Sequence, residues 1–142
     1  MKIFTHQRTI AASAEEVFAA FEDPELLAKW WGPRGFTNTF SIFEFKPDGE
    51  WSFVMHGPDG TDYKNENIFI EIQKPNKIVI RHDCHPFFTA TISIKDVEGG
   101  SLVSFNQDFD SEEVAKTVAP IVQPSNEQVL DKLEALITNN HD

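Results

Sequence analysis

The sequence predicts an α+β fold in which a curved antiparallel sheet wraps around a long C-terminal helix. Between positions 36 and 109, short runs of alternating apolar residues are separated by turn signals such as Asp48-Gly49 and Gly99-Gly100. Such a succession is typical of an antiparallel meander. Beyond position 110 the apolar period changes to that of a helix with one apolar stripe. The stripe consists of Val129, Leu130, Leu133, Leu136 and Ile137.

Two short helices are predicted between the first strand, at residues 4–10, and the rest of the sheet. Ser13 and Glu16 form a capping box for a helix over residues 14–21. Asp23 can cap the second helix, because Pro24 follows in the first turn, where a missing N–H costs nothing. This helix is predicted to end at Trp31.

Trp30 and Trp31 stand side by side at the end of the second helix, before Gly32-Pro33 stops it. Neighbouring side chains on a helix point about 100° apart. We therefore expect one indole to anchor the turn in the core and the other to lie nearer the rim.

Six further strands are predicted, at residues 37–45, 50–56, 63–73, 77–83, 88–97 and 101–109. In the hairpin at Pro47-Asp48-Gly49, we expect Gly49 to supply the positive φ. In strand 63–73, Tyr63 and Phe69 share one parity while three isoleucines share the other, so a β-bulge is predicted there.

The C-terminal helix is predicted to begin near Pro124 or Ser125. A short helix over residues 111–118, capped by Ser111, precedes it, and Pro120 is expected to interrupt the two. Residues 138–142 are expected to form a polar tail that frays.

Length and composition point to one domain covering residues 1–142. The net charge of -11 argues against nucleic acid as a partner, because a phosphate backbone would be repelled.

A cytoplasmic protein is predicted from the lone Cys84 and from the first 20 residues, which lack a secretory pattern. No apolar run approaches the roughly 20 residues that span a bilayer, so no integral membrane association is expected.

Strand parity predicts which side chains face inward. In strand 50–56 the apolar set is Trp51, Phe53 and Met55, and His82 shares the inner face with its apolar neighbours in strand 77–83. Strand 101–109 places Phe105 and Gln107 inside. The chain has 13 Phe residues, and such flat side chains can either fill a core or leave an irregular cavity. Both interpretations stay open at this point.

The segment His82-Asp83-Cys84-His85 contains three types of metal ligand within four residues. Adjacent residues on a strand point to opposite faces, and no second ligand cluster follows, so neither a metal nor a cofactor is predicted. A nucleophilic pair of Cys84 with a histidine has no third group to orient it. His82 is the one weak catalytic candidate, because a neutral imidazole on the inner face could act as an acid or base. The alternative is a histidine satisfied by a neighbouring carbonyl.

Residues 24–33 read Pro-Glu-Leu-Leu-Ala-Lys-Trp-Trp-Gly-Pro, and an Asp-Gly hairpin and Met55-His56-Gly57-Pro58-Asp59-Gly60 follow. This stretch resembles the domain named after the activator of the heat-shock protein 90 ATPase, in the START and pollen-allergen-like (SRPBCC) superfamily. The resemblance covers about residues 4–137 and implies a helix-grip fold. It departs from the family at Asp48-Gly49, where two glycines are usual, but Asp-Gly serves the same turn.

The resemblance implies a binding protein for a small hydrophobic or aromatic molecule held between the sheet and the C-terminal helix. The expected ligand contacts are Trp31, Trp51, Phe53, Met55, His82, Phe105, Gln107, Val129 and Leu133. An enzyme of the cyclase or aromatase sort, with His82 as its acid or base, is the alternative. A chaperone-associated role is weaker, because the chain has no room for the separate amino-terminal domain that family activators also use. A homodimer stays open.

Overall fold

The computed structural model describes residues 2–139 and shows one seven-stranded antiparallel sheet with the strand order β1-β7-β6-β5-β4-β3-β2. The strands are β1 (Ile3–Ile10), β2 (Thr37–Phe43), β3 (Glu50–His56), β4 (Asp62–Gln73), β5 (Lys77–His82), β6 (Phe88–Val97) and β7 (Gly100–Phe109). The helices are α1 (Ala14–Glu22), α2 (Pro24–Trp30) and α3 (Glu112–Asn139). The predicted fold class, a curved antiparallel sheet with a long C-terminal helix, is confirmed.

The predicted caps fix the two short helices. Ser13 accepts a hydrogen bond from the Glu16 backbone N–H over 3.2 Å, and Glu16 accepts one from Ser13 N over 3.3 Å, which completes the capping box. Asp23 closes α1 and caps α2, because its carboxylate accepts from Glu25 N over 2.9 Å. The indole N–H of Trp30 donates to Ala20 O over 3.0 Å and ties the end of α2 to α1.

The hairpin between β2 and β3 corrects one prediction. Asp48, and not Gly49, has the positive φ, of 66°. Aspartate tolerates this left-handed conformation because its short polar side chain can hydrogen-bond locally. Gly49 is needed for a different reason, since a Cβ there would lie 2.0 Å from Glu44 O.

Two strands contain β-bulges, which change the side-chain parity along each strand. The predicted bulge in β4 is confirmed by a register shift between Phe69 and Glu71, and Phe69 and Ile72 both reach the core. A second shift, in β2 between Phe40 and Ile42, was not predicted. It allows both Phe40 and Phe43 to pack against the core although their positions differ in parity.

Helix α3 is continuous from Glu112 to Asn139, so the predicted interruption at Pro120 is wrong. Pro120 and Pro124 are exposed, so water can satisfy the carbonyls that lose an N–H partner to each proline. The predicted cap is present, because Ser111 Oγ accepts from Val114 N over 3.2 Å. Of the predicted tail, Thr138 belongs to α3 and residues 140–142 lie outside the described part of the chain.

The main core lies between the concave face of the sheet, α1 and the second half of α3. On β6 and β7, alternate residues from Ala90 to Ile94 and from Val103 to Phe109 are buried, and these include Phe105 and Gln107, which were predicted to face inward. On α3, Leu130, Leu133 and Ile137 complete this core. A smaller cluster joins the start of α3 to β1 and β7 through Ala115, Phe4 and Phe109. Within residues 2–139, none of the helices is long and apolar enough to cross a membrane.

Candidate functional site: a pocket between the sheet and α3

A pocket of about 770 Å³ lies between the concave face of the sheet and the middle of α3, from Val118 to Val129. Strands β3, β4, β5, β6 and β7 supply its floor, and the loop after α2 and the β5–β6 loop supply its rim. On α3, the contributing side chains are Val118, Ile121, Val122, Ser125, Asn126 and Val129. Over this part of the concave face there is open space, whereas further along the sheet side chains of α3 fill the core.

Seven of the nine predicted contact residues line this pocket, namely Trp31, Phe53, Met55, His82, Phe105, Gln107 and Val129. Trp51 and Leu133 do not line it. Trp51, with 1 % of its surface exposed, stacks flat on Phe69 with ring centroids 5.7 Å apart. Leu133 is fully buried in the main core. Contact of any of the nine with a ligand stays a prediction.

Trp31 forms an aromatic wall of the pocket. Its ring packs edge-on against Trp30 and Trp51, at centroid distances of 5.5 and 5.1 Å, and lies 6.2 Å from Phe105. Trp30 is buried and Trp31 is half-buried, as expected for neighbouring tryptophans at the end of a helix. The wall is thus held in place by the core behind it.

The mouth of the pocket is partly open and is bordered by aromatic rings and by charged side chains. Phe36 and Tyr63 approach each other from opposite sides of the rim, with ring centroids 6.0 Å apart, and Tyr63 is 47 % exposed. Ile121 on α3 is 72 % exposed although it lines the same pocket. Among the lining residues, Asp62 and Lys64 carry charge, and both are exposed at the mouth. The interior therefore has no formal charge from Asp, Glu, Lys or Arg.

His82 lies at the pocket floor and is held on both ring nitrogens. Nδ1 donates to Pro86 O over 2.7 Å, since a carbonyl oxygen can only accept. Nε2 lies 2.9 Å from the Asn65 amide oxygen and 3.4 Å from Cys84 Sγ. The ring stacks on Phe88 with centroids 4.4 Å apart.

Burial lowers the pKa of His82, so the neutral ring is the form that the fold favours. In that form Nε2 is an acceptor, and the Cys84 thiol or a turned Asn65 amide can donate to it. The hydrogen bond to Pro86 O corresponds to the alternative given by the sequence, in which a neighbouring carbonyl accepts from the His82 ring.

Three buried amide side chains, of Asn67, Gln107 and Asn126, give the pocket wall neutral polar groups. Gln107 and Asn126 face each other across the sheet–helix boundary, and Asn126 Nδ2 donates to Gln107 Oε1 over 3.0 Å. Asn67 donates through Nδ2 to Trp51 O over 3.2 Å. All three line the pocket.

Sequence reasoning found Gln107 and missed Asn67 and Asn126. Both missed residues carried a usable signal. Asn126 precedes Leu130 by one helical turn on the apolar stripe, and Asn67 has the same parity as the buried Phe69. A polar residue on an apolar stripe is a candidate for a site.

The segment His82-Asp83-Cys84-His85 does not form a coordination shell. His82 is buried, while Asp83 and His85 are exposed. In the described part of the chain, no group of three His, Cys, Asp or Glu side chains is placed to hold a metal ion.

Comparison with known proteins gives one family match. The family model for Activator of Hsp90 ATPase homolog 1-like protein matches residues 11–138. No curated protein matches the chain.

Solved bacterial structures share the fold at low sequence identity. A protein from Arthrobacter aurescens is 24% identical, with a TM-score of 0.90 over 97% of this chain and 87% of that chain. A protein from Nitrosomonas europaea is 19% identical, with a TM-score of 0.87 over 97% of this chain and 95% of that chain. An AHSA1 protein from Silicibacter pomeroyi is also 19% identical, with a TM-score of 0.82 over 98% and 99% of the two chains.

Proposed function

We propose that this chain, which belongs to the Activator of Hsp90 ATPase homolog 1-like family, binds a small hydrophobic or aromatic molecule between its sheet and α3. The pocket carries this proposal. Its volume of about 770 Å³ falls within the range of small-molecule sites, about 300 to 1,000 Å³. Its walls are mostly apolar and aromatic, with a few amides and one imidazole among them.

The ligand is expected to be neutral. The chain has a net charge of -11, which repels anions at low salt. A cation would lose its hydration inside a pocket whose interior offers no carboxylate, and burial of an unpaired charge is costly. Neutral aromatic compounds meet neither obstacle.

Tryptophan fluorescence tests the proposal directly, because Trp31 forms part of the pocket wall. Neutral aromatic compounds should quench or shift the emission with micromolar affinity, about 8 kcal/mol of binding free energy. A Trp31→Phe variant should lose most of this signal while calorimetry still detects binding. Native mass spectrometry of the purified protein should reveal any co-purifying molecule. Failure of a broad aromatic panel to bind by both methods would refute the proposal.

An enzyme of the cyclase or aromatase sort is a second candidate, favoured by one observation. His82 is buried in the pocket, and its lowered pKa favours the neutral ring that a general base needs. Turnover of a bound polyketide-like compound that His82→Gln abolishes, with binding retained, would establish this candidate. Binding without turnover leaves the first proposal in place.

A role beside a chaperone is the weakest candidate. It rests on the family description alone. Co-sedimentation of the purified chain with a heat-shock protein 90 ATPase, and a change in its ATP hydrolysis, would be the supporting result.

A further inference from the structure

The amide pair formed by Gln107 and Asn126 has incomplete hydrogen bonding although it is deeply buried. The two residues are 6 % and 8 % exposed. The bond from Asn126 Nδ2 to Gln107 Oε1 uses one end of each amide. Within residues 2–139, Gln107 Nε2 and Asn126 Oδ1 have no hydrogen-bond partner. Buried polar groups are rarely left unpaired, because the loss of water costs free energy.

The free ends of the amide pair reach the open volume of the pocket. The unpaired side-chain atoms that are fully enclosed by protein are His6 Nε2, Asn38 Oδ1 and Trp51 Nε1, among the described residues. Gln107 Nε2 and Asn126 Oδ1 are not in this group, and both residues line the pocket. Whatever occupies the pocket is therefore the partner within reach.

We propose that the ligand carries a neutral group that both donates and accepts a hydrogen bond, such as a hydroxyl or a carboxamide, and that this group binds to Gln107 and Asn126. Gln107 Nε2 donates to it, and Asn126 Oδ1 accepts from it. The inference rests on the proposed function, since it describes the ligand of the same pocket.

The pattern stays the same when both amides are turned together, which is the one rearrangement that keeps the hydrogen bond between them. Each amide has one oxygen and one nitrogen, and the bond between the two side chains uses one of each. The pair always presents one remaining donor group and one remaining acceptor. A ligand group that only accepts, such as an ether, can satisfy half of it.

Charged groups fit this pair poorly. A carboxylate would accept from the donor and face the oxygen that also seeks a donor. Asn67, 6 % exposed and three strands away, offers a further free oxygen, since its Nδ2 is engaged with Trp51 O. An ammonium group would leave the donor unpaired. Both would lose hydration without an opposite charge, so the amides select for neutral ligands.

The test compares four naphthalene compounds by calorimetry at neutral pH: naphthalene, 2-methoxynaphthalene, 2-naphthol and 2-naphthoate. Naphthol can donate and accept, the methoxy compound only accepts, and the parent hydrocarbon does neither. Naphthol should bind about tenfold more tightly than the methoxy compound, the effect of about one additional hydrogen bond. Naphthoate should bind more weakly than naphthol.

The variant Gln107→Met/Asn126→Leu removes both amides together, so that no unpaired amide is left behind. It should bind naphthol and the methoxy compound equally within about a factor of two, and keep the affinity for naphthalene. The matched control is Gln123→Met, on the exposed side of α3 and outside the pocket lining, which should keep the preference for naphthol. Circular dichroism checks that each variant is folded.

The outcomes separate this inference from the proposed function. If no compound binds, the proposed function fails and the inference fails with it. If naphthol and the methoxy compound bind the wild type equally, the function stands and the inference is overturned. A preference for naphthol that survives in the double variant also overturns the inference, because the polar contact then lies elsewhere. If the double variant does not fold, the wild-type comparison alone decides.

Discussion

The two halves of α3 lie along the same concave sheet but contact it in different ways. In the second half, Leu130, Leu133 and Ile137 are 2 %, 0 % and 5 % exposed and fill the main core. In the first half, Ile121 is 72 % exposed and borders the pocket. The second half of the helix therefore packs tightly against the sheet, whereas the first half leaves an open space beside it.

Polar contacts and prolines reinforce this difference. Arg8 on β1 pairs with Glu127, Asp131 and Glu134, all in the second half of α3. Pro120, in the first half, removes one backbone N–H from the helix, and Pro124 removes another where the halves meet. A single helix can thus anchor the fold at one end and border a binding site at the other. Four measurements can break or sharpen this comparison.

The largest effect is expected from Leu133→Ala. Deletion of a fully buried Leu side chain from a core costs about 2 to 5 kcal/mol. Val122 lies in the first half of α3 and is half-buried, so Val122→Ala should lower the free energy of unfolding by clearly less, about 1 kcal/mol. Urea unfolding followed by circular dichroism measures both. Equal losses would mean that the two halves of α3 contribute equally to stability.

Enlarged side chains should distinguish the pocket from the core. Met55→Trp should occupy the pocket, weaken the binding of aromatic compounds by about tenfold or more, and leave the melting temperature nearly unchanged. Ile92→Phe, in the fully buried core, should instead cost about 1 to 3 kcal/mol through overpacking. A Met55→Trp protein that melts several degrees lower, with no aromatic ligand bound by the wild type, would indicate a filled core.

Arg8→Met should have a smaller effect on stability. The Arg8 side chain is 21% exposed and contacts three carboxylates, so its loss should cost about 1 kcal/mol at low ionic strength and less in high salt. Arg34→Met is the control, since Arg34 is 66% exposed and pairs with Asp131 alone among the described residues. An Arg34→Met protein as unstable as Arg8→Met would show that the β1 contact does not anchor the second half of α3.

The smallest effect is the pH dependence attributed to His82. Because burial lowers its pKa below 6.5, the unfolded chain takes up a proton below about pH 6.5 before the folded chain does. The contribution of neutral His82 to the free energy of unfolding is complete above about pH 6.5. It is lost as the pH falls toward the pKa that His82 has in the folded chain. His82→Gln should flatten the slope of unfolding free energy against pH in this window. An unchanged slope in His82→Gln would place the proton uptake elsewhere.

Alternation along strands made much of the site predictable from the sequence. It placed Phe53, His82, Phe105 and Gln107 on the inner face, where the structure has them. It could not tell which inner residues border open space. Trp51 shares its parity with Phe53 but stacks on Phe69 of the neighbouring strand, and the pattern of one strand contains no information on how rings of neighbouring strands pack.

The helices show a similar limit. Periodicity predicted the buried stripe of α3, but the proline rule predicted a break at Pro120 that does not occur. The rule considers the hydrogen bond that proline removes, but it does not consider whether the proline lies on the solvent-facing side of the helix, as Pro120 does. Likewise, the turn rule assigned the positive φ to Gly49, whereas Asp48 has it and Gly49 is needed for its close approach to Glu44 O across the hairpin.

The bulge in β2 also bears on how copies of this chain meet in concentrated solution. β2 and β1 are the two open edges of the sheet, and an unpaired edge is a template for strands of other molecules. The register shift between Phe40 and Ile42 interrupts the regular ladder of β2, so an incoming strand can pair over only a short length. Along β1, Arg8 is paired with three carboxylates of α3, which places charged groups beside this edge. Intermolecular strand pairing, the first step of fibril growth, is thereby disfavoured at both edges.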